Sequence, residues 1–153
     1  MGKLSKAQVL KKCDLFKHLN NEQISIIEKM CTEETFEPGT VICKQDKKSD
    51  KIYVVEDGLV GIILEVGPLS QRQVQSASTH DVFGWSAMIE PFVYTATVKA
   101  VKKTTALAFS GKNLVDLYAT KPEIGCLISR GLTYVVARRL LEAYTQLLGV
   151  SKV

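Results

Sequence analysis

From Thr35 to Phe109 the chain alternates short apolar or β-branched runs with Pro, Gly and Asp turn signals, a rhythm that short strands satisfy and long helices do not. Thr35-Phe36 leads into the turn signal Glu37-Pro38-Gly39, and Val41-Ile42-Cys43 follows as a short strand. Ile52-Tyr53-Val54-Val55 is the most strand-like run. Asp57-Gly58 after it predicts a tight hairpin, with Leu59 to Leu64 as the returning partner. Gly67-Pro68 marks another turn, and Gln71 to Ser78 is polar enough to expect at a sheet edge. Thr95 to Val101 and Thr104 to Phe109 are expected to form a last strand pair around Lys102-Lys103. Many short strands with frequent turns indicate a small barrel or jelly-roll-like sandwich.

Helical periodicity brackets this region on both sides. Leu4 to Leu15 is a short, weak helical segment, and Leu15-Phe16 and Leu19 are apolar anchors behind it. Asn20-Asn21-Glu22 supplies a cap and an early acid, after which Ile24, Ile27 and Met30 recur at helical spacing, with Ile26 and Cys31 widening the face. Leu114, Val115, Leu117 and Tyr118 make a second amphipathic helix that stops near Pro122. Ile124 to Leu148 then reads as one long helix whose apolar residues spread over a broad arc. One face is expected on its own domain and another on a second surface, for which a homodimer is the expectation.

The 153 residues suit one domain over 1–153, with a helical lead at about 4–31, a roll at about 32–110 and closing helices at about 112–148. A formal charge of +4, spread in scattered twos and threes such as Lys47-Lys48, marks no nucleic-acid stripe. Cys13, Cys31, Cys43 and Cys126 are far apart and contain no C-x-x-C pair, so they read as small buried apolar residues, with no zinc site. Lysines interrupt every apolar run near the start, which argues against a secretory signal. Gly2 fails as a myristoylation site because Lys6 stands where Ser or Thr is wanted. No apolar stretch nears the roughly 20 residues of a membrane span. A cytoplasmic setting without membrane contact is the expectation.

The order of elements and its turn residues resembles the cyclic-nucleotide-binding domain family, of the catabolite-activator-like sensor kind. Leu15-Phe16-Lys17-His18-Leu19 resembles the family's opening anchor, and Phe36-Glu37-Pro38-Gly39-Thr40-Val41-Ile42 its first strand, turn and second strand. Ser49 to Gly58 resembles its central strand, Phe83-Gly84 with Ala96-Thr97-Val98 the frame of its phosphate-binding cassette, and Ala137-Arg138-Arg139-Leu140 the end of its long helix. The resemblance implies a mainly β fold with flanking helices: a double-stranded β-helix, or jelly-roll-like β-roll, with N-terminal helices and a long C-terminal helix. It also implies a cyclic nucleotide, cAMP or cGMP, as a ligand, with no required cofactor.

The cassette departs from the family pattern in two places. Trp85 stands where a glutamate holds the ribose, and Tyr94 where an arginine grips the phosphate. Between Asp81 and Val98 there is no lysine or arginine, and burying an anion without a countercharge costs several kcal/mol. Asp46 replaces a customary turn glycine. Two arrangements repair the site. Arg130, Tyr134 and Arg138 share one helix face and can reach the ligand from above. Alternatively, Trp85, Met88, Phe92 and Tyr94 line a pocket for an aromatic or apolar ligand. The candidate ligand-binding set is therefore Phe83, Gly84, Trp85, Ser86, Ala87, Tyr94, Thr95, Thr97, Tyr134 and Arg138, each of which also has an ordinary reading as packing, cap or surface. His80 beside Asp81 reads as polar surface before it reads as a haem or metal ligand.

Two functions follow from these residues. The first is a regulatory module that senses a small molecule in the roll and signals through the closing helix. The alternative is a degenerate relative that binds no nucleotide and serves as a dimerisation or interaction scaffold. An enzyme is not expected, since neither a nucleophile–base pair nor a Gly-rich phosphate loop is visible. The sequence ends at Val153, soon after Leu148, so direct DNA binding is not expected either, and a separate effector protein would carry the output.

Overall fold

Two capping boxes start the chain's helices. Ser5 accepts the amide of Gln8 at 3.2 Å and the Gln8 side chain accepts that of Ser5 at 2.8 Å. Asn20 and Gln23 repeat the exchange at 2.8 and 3.0 Å. Helices α1 (Lys6–Lys12) and α2 (Asn21–Glu28) follow these caps. The computed structural model describes residues 3–149, so Gly2 and Val153 lie outside the described residues. Cys31 is not on the α2 face: the helix ends at Glu28, and Cys31 opens a strand with its thiol donating to the Glu28 carbonyl at 3.3 Å.

Eight strands come next: β1 (Cys31–Phe36), β2 (Val41–Cys43), β3 (Lys51–Asp57), β4 (Leu59–Gly67), β5 (Ser70–Ser78), β6 (Val82–Phe83), β7 (Thr97–Ala100) and β8 (Thr104–Ser110). They form two four-stranded antiparallel sheets ordered β1-β8-β3-β6 and β2-β7-β4-β5. Helices α3 (Gly111–Thr120) and α4 (Pro122–Leu147) close the fold. This is the expected β-roll with flanking helices, and β5 occupies the expected sheet edge.

Pairing within the roll differs from the sequence reading. β3 and β4 do not form a hairpin, nor do β7 and β8 form a pair. Among the described strands only the β4–β5 connection stays within one sheet. The other connections cross, so β3 pairs with β8 while β4 pairs with β7. The cause is a corner turned by both ribbons together. A bulge at Val55/Asp57 and Gly58 at φ 131° swing the chain out of its sheet. At the matching corner the Thr104 hydroxyl, fully buried, accepts the Leu59 amide at 3.2 Å and donates to the Lys102 carbonyl at 2.9 Å. An Asp-Gly pair marks a turn but not whether the strands beyond it face each other.

β3 explains why its sequence is continuously apolar rather than alternating: both of its faces are covered. Ile52 and Val54, with Leu107 and Phe109 of β8, face a core built with Leu10, Phe16, Ile27, Leu114, Ile124 and Ile128 of the helices. Tyr53 and Val55 face the opposite way, into the roll, with Phe83, Val98, Ala106 and Ala108. Small alanines on β8 leave room for the Tyr53 and Phe83 rings to stack, with centroids 4.8 Å apart. Each large side chain buried in this way contributes about 1.5–3 kcal/mol.

The first half of α4 belongs to the helical core through Ile124, Ile128, Leu132 and Val135. Its closest approach is at Gly131, where a Cβ would lie 2.0 Å from the Leu15 carbonyl oxygen. Beyond Val136 the helix leaves that core, with Leu140, Leu141, Tyr144 and Leu147 exposed. No described helix is long and apolar enough to cross a membrane. Gly131→Ala is expected to push α4 off the lead and lower stability by about 2 kcal/mol or more in urea denaturation. Gly67→Ala, with no atom within 4 Å of the added methyl, is expected to stay within about 0.5 kcal/mol of the parent.

Candidate functional site

The segment between β6 and β7 makes one wall of a cavity of about 240 Å³, and β4, β5 and β7 make the rest. Gly84 begins the wall at φ 80°, a left-handed conformation that suits glycine, and a Cβ there would sit 3.0 Å from the Lys51 carbonyl oxygen. The chain then makes a single 3-10 turn, Trp85–Met88, and the first amides of such a turn have no intrahelical acceptor. Tyr94 closes the wall from below. Its hydroxyl donates to the Lys51 carbonyl at 2.9 Å and accepts the Lys51 amide at 3.4 Å, so the start of β3 holds both ends of the segment. Burial, followed by the nearby Cys43 thiol, pushes the Tyr94 hydroxyl far above its ordinary range, so it remains a neutral donor.

Six of the ten candidate ligand residues meet at this cavity: Phe83, Gly84, Trp85, Ser86, Tyr94 and Thr95. Ile62, Leu64, Val74, Gln75, Ala96 and Val98 complete the lining, and no charged side chain takes part among the described residues. The other four are elsewhere. Ala87 is buried in the helical core. Thr97 is a buried corner staple that accepts the Gln45 amide at 3.0 Å and bonds to Glu65. Tyr134 lies under the Lys17 ammonium, 3.2 Å from its ring centre, and accepts a hydrogen bond from Arg138 at 3.4 Å on the exposed side of α4. Neither Tyr134 nor Arg138 lines the cavity; Arg138 instead borders a separate cleft with Ser76, Asp81 and Arg139. Phe92 and Met88 also lie outside it, Phe92 at φ 59° on the outer surface.

The cation that does reach the cassette is Arg139. Its guanidinium lies 5.5 Å from the Trp85 ring centre and donates to the carbonyls of Ser76 at 3.0 Å and Val82 at 3.2 Å. Gln75 returns a bond to the Arg139 carbonyl at 3.0 Å, and Gln146 bonds to the Val74 carbonyl. These contacts fasten the distal half of α4 to the free edge of β5. A signal for Arg139 was present in the helical period: it stands four residues after Val135 and seven after Leu132, on the continuation of the buried stripe. Spacing from Tyr134 selects the neighbouring Arg138, a turn of about 100° round the helix.

The fold is a β-roll of two four-stranded sheets, with the cavity and its Gly84–Tyr94 wall beneath a closing helix. The profile of the cyclic nucleotide-binding domain family matches residues 33–121, more than half of the chain. A protein of Rhodopseudomonas palustris named as a potassium channel protein is 30% identical over 116 residues. The match covers 76% of this chain but 28% of that protein. Among solved structures, a cyclic nucleotide-binding protein from Geobacter metallireducens has a TM-score of 0.78 at 24% identity, covering 90% of this chain and 99% of that one. A cyclic nucleotide-binding domain from Methylobacillus flagellatus has a TM-score of 0.83 at 18% identity, covering 97% and 83%. The chain belongs to the cyclic nucleotide-binding domain family.

Arg139→Ala removes two charged hydrogen bonds and the stack on Trp85. Amide hydrogen exchange is expected to quicken roughly tenfold from Arg139 to Leu147 and at Val74–Ser76, corresponding to about 1.5 kcal/mol of local opening. Arg138→Ala, which removes a hydrogen bond to Tyr134 and none to β5, is expected to leave those rates unchanged.

Proposed function

We propose that this chain is a regulatory sensor that takes a cyclic nucleotide, or a ligand of closely similar shape, into the β-roll cavity and signals through α4. One observation supports the reading: two residues that line the cavity also contact the closing helix. Gln75 and Trp85 both face the cavity, and both contact Arg139 of α4. A ligand that displaces either side chain disturbs the attachment of α4, which supplies the differential contact a switch requires. The cavity of about 240 Å³ falls below the roughly 300–1,000 Å³ of ordinary ligand pockets, so filling it requires Trp85 or α4 to move.

In this reading Phe83, Trp85 and Tyr94 hold the base or sugar, while Gly84, Ser86 and Thr95 with the turn's first amides meet the phosphate. Arg139 supplies the countercharge once it is released from the Ser76 and Val82 carbonyls. No catalysis is assigned to the site. Calorimetric titration with cAMP and with cGMP, at two temperatures, tests the reading. Saturable micromolar binding, weakened at least about tenfold by Arg139→Ala and unchanged by Arg138→Ala, is the expected result. The alternative is that the roll is an interaction scaffold that binds no nucleotide, and no heat at millimolar nucleotide at either temperature would support it.

The output surface we assign is the distal part of α4, where Leu140, Leu141, Tyr144 and Leu147 are exposed on one helix. It joins a second copy of the chain or a separate effector protein. Light scattering is expected to give a mass that rises with concentration toward a dimer, and Leu140→Glu with Leu147→Glu is expected to hold it at the 16.9 kDa monomer.

A further inference from the structure

Glu56 is the one residue of β3 left out of the ladder to β8: the register passes from Val55 to Asp57, and a bulge of this kind re-aims the side chain it leaves unpaired. Its carboxyl is brought against that of Glu33, which stands on β1 at the other side of β8. Glu56 is 8% exposed, and neither of its oxygens has a donor among the described residues. Two buried carboxylates in contact repel each other, whereas a carboxylic acid and a carboxylate share one proton. Lys3 completes the group, its ammonium 3.0 Å from Glu33 Oε2. One proton and one ammonium balance the two carboxyl groups.

The N-terminal lead covers this pair. Lys3, Leu4 and Val9 meet Glu56, Asp57 and His80 of the roll across a seam of about 510 Å³. Val9 and Leu10 bury α1 in the helical core, and the lead runs on to Leu15, whose carbonyl oxygen abuts Gly131 of α4. The Glu56 oxygens have no accessible surface toward the seam while the lead is seated, so an ionised Glu56 is hydrated only when the lead shifts.

We propose that Glu33 and Glu56 form a proton-operated latch: the shared proton seats the N-terminal lead on the roll, and its loss lets the stretch from Lys3 to Lys12 lift away from β3. The charges that face the latch come from each neighbouring element. Lys3 and Lys6 lie on the lead, Glu33 on β1, Asp57 on β3 and His80 in the β5–β6 connection, while β8 contributes the uncharged Thr105. Burial, then the bond to Glu33, pushes Glu56 up to about 7, against the pull of Lys3 and Lys6. The same bond, followed by Lys3, holds Glu33 below its ordinary value. A raised carboxyl pKa means that the seated lead holds the proton more tightly than the lifted one. The latch is therefore fully closed below about 4.5 and is lost as pH rises through about 7. Glu33 is ionised across the upper part of that window and adds no opposing step there.

The test is amide hydrogen exchange of the full chain at about pH 6 and about pH 8, corrected for the intrinsic rate. Protection at Val9 and Leu10 is expected to fall about tenfold between the two, while α3 keeps its protection. Glu56→Gln, whose carboxamide donates to Glu33 without titrating, is expected to stay protected at both. Glu33→Gln donates to an ionised Glu56. It is expected to abolish the step and to move the Glu56 midpoint, followed at its carboxyl carbon by NMR, down toward the ordinary carboxylate range. His80→Asn, which tolerates the left-handed backbone at φ 74°, is expected to leave the step in place. A Glu56 midpoint in the ordinary range overturns the latch, as does a midpoint near 7 with no change at Val9 and Leu10. An equal loss of protection in α3, a step that survives Glu56→Gln, or one that disappears in His80→Asn also overturns it. None of these outcomes depends on cyclic nucleotide binding in the roll.

Discussion

β3 lies between two apolar cores and belongs to both, and the remaining architecture is arranged around that burial. Its even-numbered residues Ile52 and Val54 bind the helices to the roll, while Tyr53 and Val55 fill the roll's interior. A strand buried on both faces cannot move without disturbing either core, so its first residue makes a fixed reference point. The cassette uses that point. Gly84 approaches the Lys51 carbonyl from one side, the Tyr94 hydroxyl bonds to Lys51 from the other, and the Gly111 amide at the start of α3 donates to Asp50 at 2.9 Å. The Gly84–Tyr94 wall of the cavity is therefore suspended from a strand buried on both faces, while the opposite wall, β4 and β5, ends at a sheet edge.

The closing helix shows the opposite design. Its first half is locked into the helical core and closely apposed to the Leu15 backbone at Gly131. Its second half is held by hydrogen bonds to the β5 edge and by the Arg139–Trp85 stack. Hydrogen bonds exposed to competing water contribute about 1 kcal/mol each, far less than the buried apolar stripe, so the distal half is the part that can detach.

The uncharged cavity sets the energetic problem for any anionic ligand. Burying a phosphate against Ile62, Leu64, Val74 and Trp85 alone is costly, and the nearest available guanidinium is occupied with two backbone carbonyls. A phosphate in this cavity would gain the Arg139 countercharge only in exchange for the bonds to the Ser76 and Val82 carbonyls.

Much of the architecture was legible in the sequence because burial writes periodicity into it. The switch from helical spacing to short β-branched runs, the polar edge strand at Gln71–Ser78 and the helical stripe from Ile124 onward all survive in the structure. The strand at Val82–Phe83 was too short to leave a period, and Cys31 was assigned to the helix because apolar spacing cannot register where a cap ends. What only the tertiary structure decided was pairing across distance. Asp57-Gly58 and Lys102-Lys103 announce turns, but a corner and a hairpin use the same residues, and the choice rests on the Thr104 hydroxyl contributed from another strand. The same limit governed the site. Gly84, Trp85 and Tyr94 could be placed by motif, whereas the choice between Arg138 and Arg139 depended on how α4 rolls against β5, a rotation set by packing and not by any local preference of the chain.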